Sequence, residues 1–149
     1  MSIVNSIATY SGEGYQLYQT IGAAIRTGAL TATVPSTGSI SPPVTRGLWR
    51  VKVYNPSGTA PTCTSVVITA LDGTNTVTVD NYVNTAALSI TGTAWMDVCG
   101  DFIVDTGVAS NGGAAGAMIF GGATSFVFTF VQGGTSPGFS VDCEIAAAP

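Results

Sequence analysis

Charge is what this sequence has least of. Of its 149 residues only 8% are Asp, Glu, Lys or Arg, against about 25% in an ordinary soluble domain, so much of its outer surface must be Ser, Thr, Asn, Gly or apolar. Four basic residues, Arg26, Arg46, Arg50 and Lys52, stand against eight acidic ones and leave a net charge of −4. No Lys/Arg-rich run is present. Nucleic acid is therefore not an expected partner, because neutralising phosphates takes a basic stripe, and an anionic membrane surface is excluded on the same ground.

Histidine is missing altogether. That removes Ser-His and Cys-His nucleophile pairs, the commonest general base and the commonest metal ligand together. Cysteine is scarce as well: Cys63, Cys99 and Cys143 form no C-x-x-C pair that would nucleate a zinc site. An odd number at irregular spacing is not the framework of a disulfide-stapled secreted domain, so buried thiols are expected, with a single disulfide as the alternative. Glycine-rich stretches such as "GGAAGAMIFGG" lack the G-K-[ST] of a phosphate loop and read as turns. No cofactor and no metal are expected.

Long apolar runs are absent too. Residues 106–141 carry no charge, yet Gly pairs at 112/113, 121/122 and 133/134 interrupt them, and no run approaches the roughly twenty apolar residues of a membrane helix. The N-terminus "MSIVNSIATYSGEGYQ" has neither the basic nor the continuous apolar region of a signal peptide. The mature chain is expected to begin at Met1 or Ser2 and to be made and assembled in a cytoplasm.

What is present is alternation with period two. "GLWRVKVYN" sends Trp49, Val51 and Val53 to one face and Arg50, Lys52 and Tyr54 to the other, the pattern of a half-buried antiparallel strand. "TSVVITALDGTNTVTVDNYV" reads as a hairpin turning at Asp72-Gly73, with Val77 and Val79 alternating with Thr76 and Thr78. "AALSITG", "TAWMDVCGDFIVD", "GAMIFGG", "TSFVFTFVQGG" and "GFSVDCEIAA" supply further strands. In the last, Phe139, Val141, Cys143 and Ile145 share a face. About eight short strands with Gly, Asn, Asp and Pro punctuation predict an all-β protein: an antiparallel β-sandwich or small barrel of Greek-key or jelly-roll type.

Residues 47–149 are read as this domain, and 1–46 as an extended N-terminal arm followed by a linker or loop. Residues 1 to about 20 form an arm or edge strand in this reading, and the Pro/Ser/Gly run "PSTGSISPP" resists regular structure. Gly22, Thr27 and Gly28 weigh against a short helix in "TIGAAIRTGAL".

Candidate chemistry is sparse. Asp97, Asp101 and Asp105 recur every four residues, and in an extended strand the outer two lie roughly 26 Å apart, too far for one cation. They are read instead as the ends of two short strands flanking a Cys99-Gly100 turn. No carboxylate pair for glycoside cleavage is singled out, and the chain is not expected to be an enzyme. Trp49 and Trp95 are placed in the core rather than on a sugar-stacking surface. Lys52, the only lysine, shares its face with Arg50 and Tyr54 and is expected to be solvated rather than cross-linked to a carboxyl group.

A hydrophobic content of 46% and a mean hydropathy of +0.43, with so little charge to keep monomers apart, point to a protein that works assembled, most simply as a homo-oligomer. Phe126, Phe128 and Phe130 fill one face of their strand, while Val127, Thr129 and Val131 leave the other moderately apolar. Its cover is expected from another subunit, another sheet or the arm. Ile7, Tyr10, Tyr15, Leu17 and Tyr18 are the candidate interface residues of that arm, because Tyr supplies contact area at low entropy cost. The same tyrosines packing on their own domain is the alternative.

A chain beginning directly at Met, free of His, rich in Thr, Ala, Gly and Val, with the arm "MSIVNSIATYSGEG" and the β segments "GLWRVKVYN", "TSVVITALDGTNTVTVD" and "SFVFTFVQGG", resembles the virion structural proteins of tailed bacteriophages, most of all their head decoration, or cement, proteins. The resemblance is one of style and layout. It implies a non-enzymatic protein on the capsid surface that binds the major capsid protein, commonly as a homotrimer, and stabilises the head, with the arm clasping a neighbouring capsomer. A β-sandwich binding module of a phage fibre or adhesin, recognising a host surface or carbohydrate, is the alternative reading.

Overall fold

The computed structural model describes residues 14–25, 30–54, 62–89, 95–104, 121–133 and 139–149. Eight strands follow one another along the chain: β1 (Gln16–Ile25), β2 (Thr31–Val34), β3 (Arg46–Tyr54), β4 (Thr62–Leu71), β5 (Thr76–Ser89), β6 (Trp95–Ile103), β7 (Ser125–Gly133) and β8 (Phe139–Ala147). They form two four-stranded antiparallel sheets, β1-β8-β3-β6 and β2-β7-β4-β5.

The pairing has a simple logic. β1 pairs with β8, β2 with β7, β3 with β6 and β4 with β5, all antiparallel. These are the rungs of one long hairpin whose tip is the β4–β5 turn. Rolling that hairpin up adds the β3–β8 and β4–β7 pairings and divides the rungs between two sheets. The result is an eight-stranded jelly roll, a β-sandwich of the predicted type.

The tip is built as its sequence requires. Asp72 Oδ1 accepts the backbone N–H groups of Thr74 at 2.8 Å and Asn75 at 2.6 Å, and Gly73 takes the positive φ of 99° that the turn needs.

Alternation fills the core between the sheets. Trp49, Val51 and Val53 from β3 and Val141, Cys143 and Ile145 from β8 face Val66, Ile68 and Ala70 from β4 and Phe126, Phe128 and Phe130 from β7, all buried. The three phenylalanines are wholly shielded because β7 is an inner strand of its sheet. Phe102 crosses to Phe126 edge-on, with ring centroids 5.1 Å apart, a favourable aromatic geometry.

Two segments depart from expectation. Residues 86–89 of "AALSITG" continue β5 rather than starting a new strand. The "TAWMDVCGDFIVD" segment holds one strand, β6, which runs through Gly100 without a turn. Gly100 is there for space: a Cβ on it would lie 2.7 Å from Trp49 Nε1 and 2.9 Å from Trp49 Cε2, so the glycine lets the indole lie across its cross-strand partner. Within the first 46 residues, β1 and β2 each form an edge of one sheet. Thr20 Oγ1 donates to the Thr33 carbonyl and ties those two edges together. "GAMIFGG" lies outside the described residues apart from its last two glycines.

Candidate interaction surfaces

The cross-strand register shows what each sheet turns outward. On the first sheet the outward rows are Asp142, Lys52 and Asp97; Gln19, Glu144, Arg50 and Cys99; and Leu17, Ala146, Leu48 and Asp101. Arg46 and Ile103 form a further outward pair. Seven of the chain's twelve charged residues therefore stand on one face: Arg46, Arg50, Lys52, Asp97, Asp101, Asp142 and Glu144.

The second sheet turns out a different surface. Its rows are Val131 and Ser65; Thr31, Thr129, Val67 and Asn81; Thr33, Val127, Thr69 and Thr78; and Ser125, Leu71 and Thr76. None of these side chains is charged. Two carboxylates in the β4–β5 hairpin are turned elsewhere: Asp72 into its own turn, and Asp80 into the gap between the sheets. The outer side of the phenylalanine strand is thus half-buried at Val127 and Thr129 and open at Val131, which is 47% exposed.

On the charged face Arg50 grips Asp97 with two hydrogen bonds, Nε to Oδ1 at 2.8 Å and Nη2 to Oδ2. Asp142 Oδ1 accepts the Gly22 N–H at 2.8 Å, where a bulge between Thr20 and Ala23 interrupts the β1 register. Lys52 lies half-buried between Asp97 and Asp142 in its row, on the face it was expected to share with Arg50 and Tyr54. Glu144 differs from Asp97 and Asp142: it is fully shielded, and neither carboxylate oxygen has a hydrogen-bond partner. Burial pushes its carboxyl up to about 7, Asp142 and Asp97 add to the rise, and Arg50 opposes it.

Asp80 reaches the interior through a bulge. Ile68 pairs with Asp80 and Thr69 with Thr78, leaving Val79 as the extra residue, and such an insertion reverses which side chains face in. Simple alternation from Val77 would turn Asp80 outward. Instead its Oδ2 accepts the indole N–H of Trp49, at 2.6 Å, from the opposite sheet. Tyr82, two residues on, meets the Trp49 ring edge-on at 6.5 Å.

The expected interface residues separate. Ile7 and Tyr10 lie outside the described residues. Tyr15 and Leu17 pack with Leu48 around the buried Ala146 on the outward side of the first sheet, whereas Tyr18 turns inward against the main core. β1 alternates like any strand, so the three side chains cannot present one surface. Trp49 is in the core, as expected, at 2% exposure; the Trp95 side chain is outside the described residues. The thiols divide as well: Cys63 and Cys143 are buried, but Cys99 is exposed, contrary to expectation, because it falls on the outward face of edge strand β6.

Asp97 and Asp101 both face outward from β6, and Asp105 lies outside the described residues. Among the described residues no three His, Cys, Asp or Glu side chains converge on a point that would hold a metal ion. Sequence reading passed over Glu144 and Asp80; the charged face was legible only in part, through Arg50 and Lys52.

No family model, no curated protein and no solved structure matches the chain.

Proposed function

We propose that this protein is a non-enzymatic structural component that acts by associating with other protein surfaces, as a capsid decoration protein of a tailed phage does. The observation that carries this reading is the division of charge between two outer faces: among the described residues one gathers seven charged side chains, with an Arg50–Asp97 ion pair, and the other's outward rows have none. Interface cores are depleted of charged side chains, and a small chain that keeps one whole sheet face free of them is suited to docking. The jelly roll is in keeping with the reading, since viral shells use it, although lectins do too.

The carbohydrate-binding alternative needs an aromatic platform in water. Trp49 does not offer one, being buried with its N–H already bound to Asp80.

The test is co-migration in a density gradient with heads purified from the phage strain that carries this sequence, together with antibody labelling of the head surface. Sedimentation with the heads, and labelling of their exterior, support the proposal. Protein that remains at the top of the gradient removes it.

A further inference from the structure

Of the two outer sheet faces, only one can meet its own copy without a charge penalty. A contact between identical faces repeats every charge on both sides. Pressing the first sheet against itself would strip water from Arg50, Lys52, Asp97 and Asp142, at a desolvation cost that ion pairs do not reliably recover. The second sheet has no such cost, because none of its outward rows contains a charged residue.

We propose that the outer face of the β2-β7-β4-β5 sheet is the contact through which two copies of this chain associate, sheet stacked on sheet. The central row, Thr31, Thr129, Val67 and Asn81, forms the middle of that contact, with Val127 and Thr69 beside it. Val and Thr are stiff about χ1, so ordering them on association costs little entropy. Stacked sheets sit about 10 Å apart with interdigitating side chains, and Thr hydroxyls can exchange hydrogen bonds across such a gap.

Size is adequate. Strands of 4, 9, 10 and 14 residues, about 4.8 Å apart, present roughly 600 Å2 in projection. Side-chain relief raises that toward the ~800 Å2 per partner of an ordinary stable interface. Val131, 47% exposed at one end of the face, is the kind of side chain such stacking would cover.

This inference rests on the structural role proposed above and names the partner for one surface. Sedimentation velocity over a wide concentration range tests it on the full chain, for the wild type and for Thr129→Lys, Val131→Lys and Asp101→Lys. The wild type is expected to be a dimer, or a larger closed assembly built on it. Thr129→Lys and Val131→Lys should weaken the association at least about 100-fold, as a buried unpaired charge does, while Asp101→Lys, on the opposite face, leaves it unchanged. Denaturation midpoints confirm that the variants fold; Val131 is already half in water, so its variant serves if Thr129→Lys does not fold.

A wild type that stays monomeric throughout, or an assembly indifferent to both second-sheet variants, overturns the inference. If that monomer still co-migrates with phage heads, the structural role stands and the face belongs to a capsid partner instead. If the dimer forms as described and no head binding occurs, the contact stands and the capsid role falls.

Discussion

Trp49 Nε1 donates a 2.6 Å hydrogen bond to Asp80 Oδ2 across the gap between the two sheets. Three local features make the bond possible: the Val79 bulge that turns Asp80 inward, the missing side chain at Gly100, and the burial of the indole. Replacing Asp80 with Ala leaves a buried N–H without its partner, which costs about 1 to 3 kcal/mol. Urea unfolding of Asp80→Ala should show that loss. A variant as stable as the wild type would mean the bond does not help hold the sheets together.

Gly100→Ala tests the space itself. The new methyl would meet the Trp49 ring at 2.7 to 2.9 Å and Asp80 Oδ2 at 3.0 Å. The crowded Nε1 is itself held by its hydrogen bond to Asp80, so the rigid indole cannot yield without moving its ring and straining that bond. The expected result is a lowered melting temperature with red-shifted, more quenchable tryptophan fluorescence, and unchanged emission would show that Trp49 does not lie across this residue.

Glu144 gives the protein a pH dependence of definite sign. Its carboxyl rises from the ordinary 4.5 to about 7 in the fold, so the folded state binds the proton more tightly than the unfolded chain. The contribution is fully present below about 4.5 and is lost as pH rises through about 7. The shift is worth up to roughly 3 kcal/mol. Asp72 works oppositely, because the Asn75 and Thr74 N–H groups lower its pKa, and its contribution fades only on the acid side. Stability of the wild type should therefore fall between pH 5 and pH 8, while Glu144→Gln should lose that slope. The same slope in both would assign it to other groups.

The thiols should report burial directly. Cys63 is pushed up to about 11 and Cys143 well above its ordinary value, both chiefly by burial, so neither supplies much thiolate near neutral pH. Native protein treated with a maleimide at pH 7.5 is expected to take up one label, at Cys99, and denatured protein three. Labelling of Cys63 or Cys143 without denaturant would contradict the buried placement of β4 or β8.

Most of the architecture was legible because a strand's alternation is a direct record of its two faces. Trp49, Val51 and Val53 against Arg50, Lys52 and Tyr54 is the clearest case, and the Asp72-Gly73 turn has its own local chemistry. What failed did so for physical reasons. Gly100 was read as a turn, since glycine's conformational freedom and its small size leave the same letter in the sequence. The phase reversal at Val79 depends on how β5 pairs with β4, so nothing local marks Asp80 as an inward-facing acid. Glu144 was not singled out because its burial and unbound oxygens arise from neighbours on β1 and β3, brought together only by the rolled-up hairpin. Tyr15, Leu17 and Tyr18 were grouped by proximity in sequence, whereas β1 sends them to opposite sides.

The central claim, that the two outer faces differ in purpose, is tested most directly by thiol labelling at each face as the protein is concentrated. Cys99 reports the charged face, and Val131→Cys in a Cys99→Ser background reports the uncharged one. Labelling at position 131 should slow at least about tenfold once the protein associates, following mass action, while labelling of Cys99 keeps its dilute rate. Equal rates at position 131 in dilute and concentrated protein, or protection of Cys99 instead, would contradict the account.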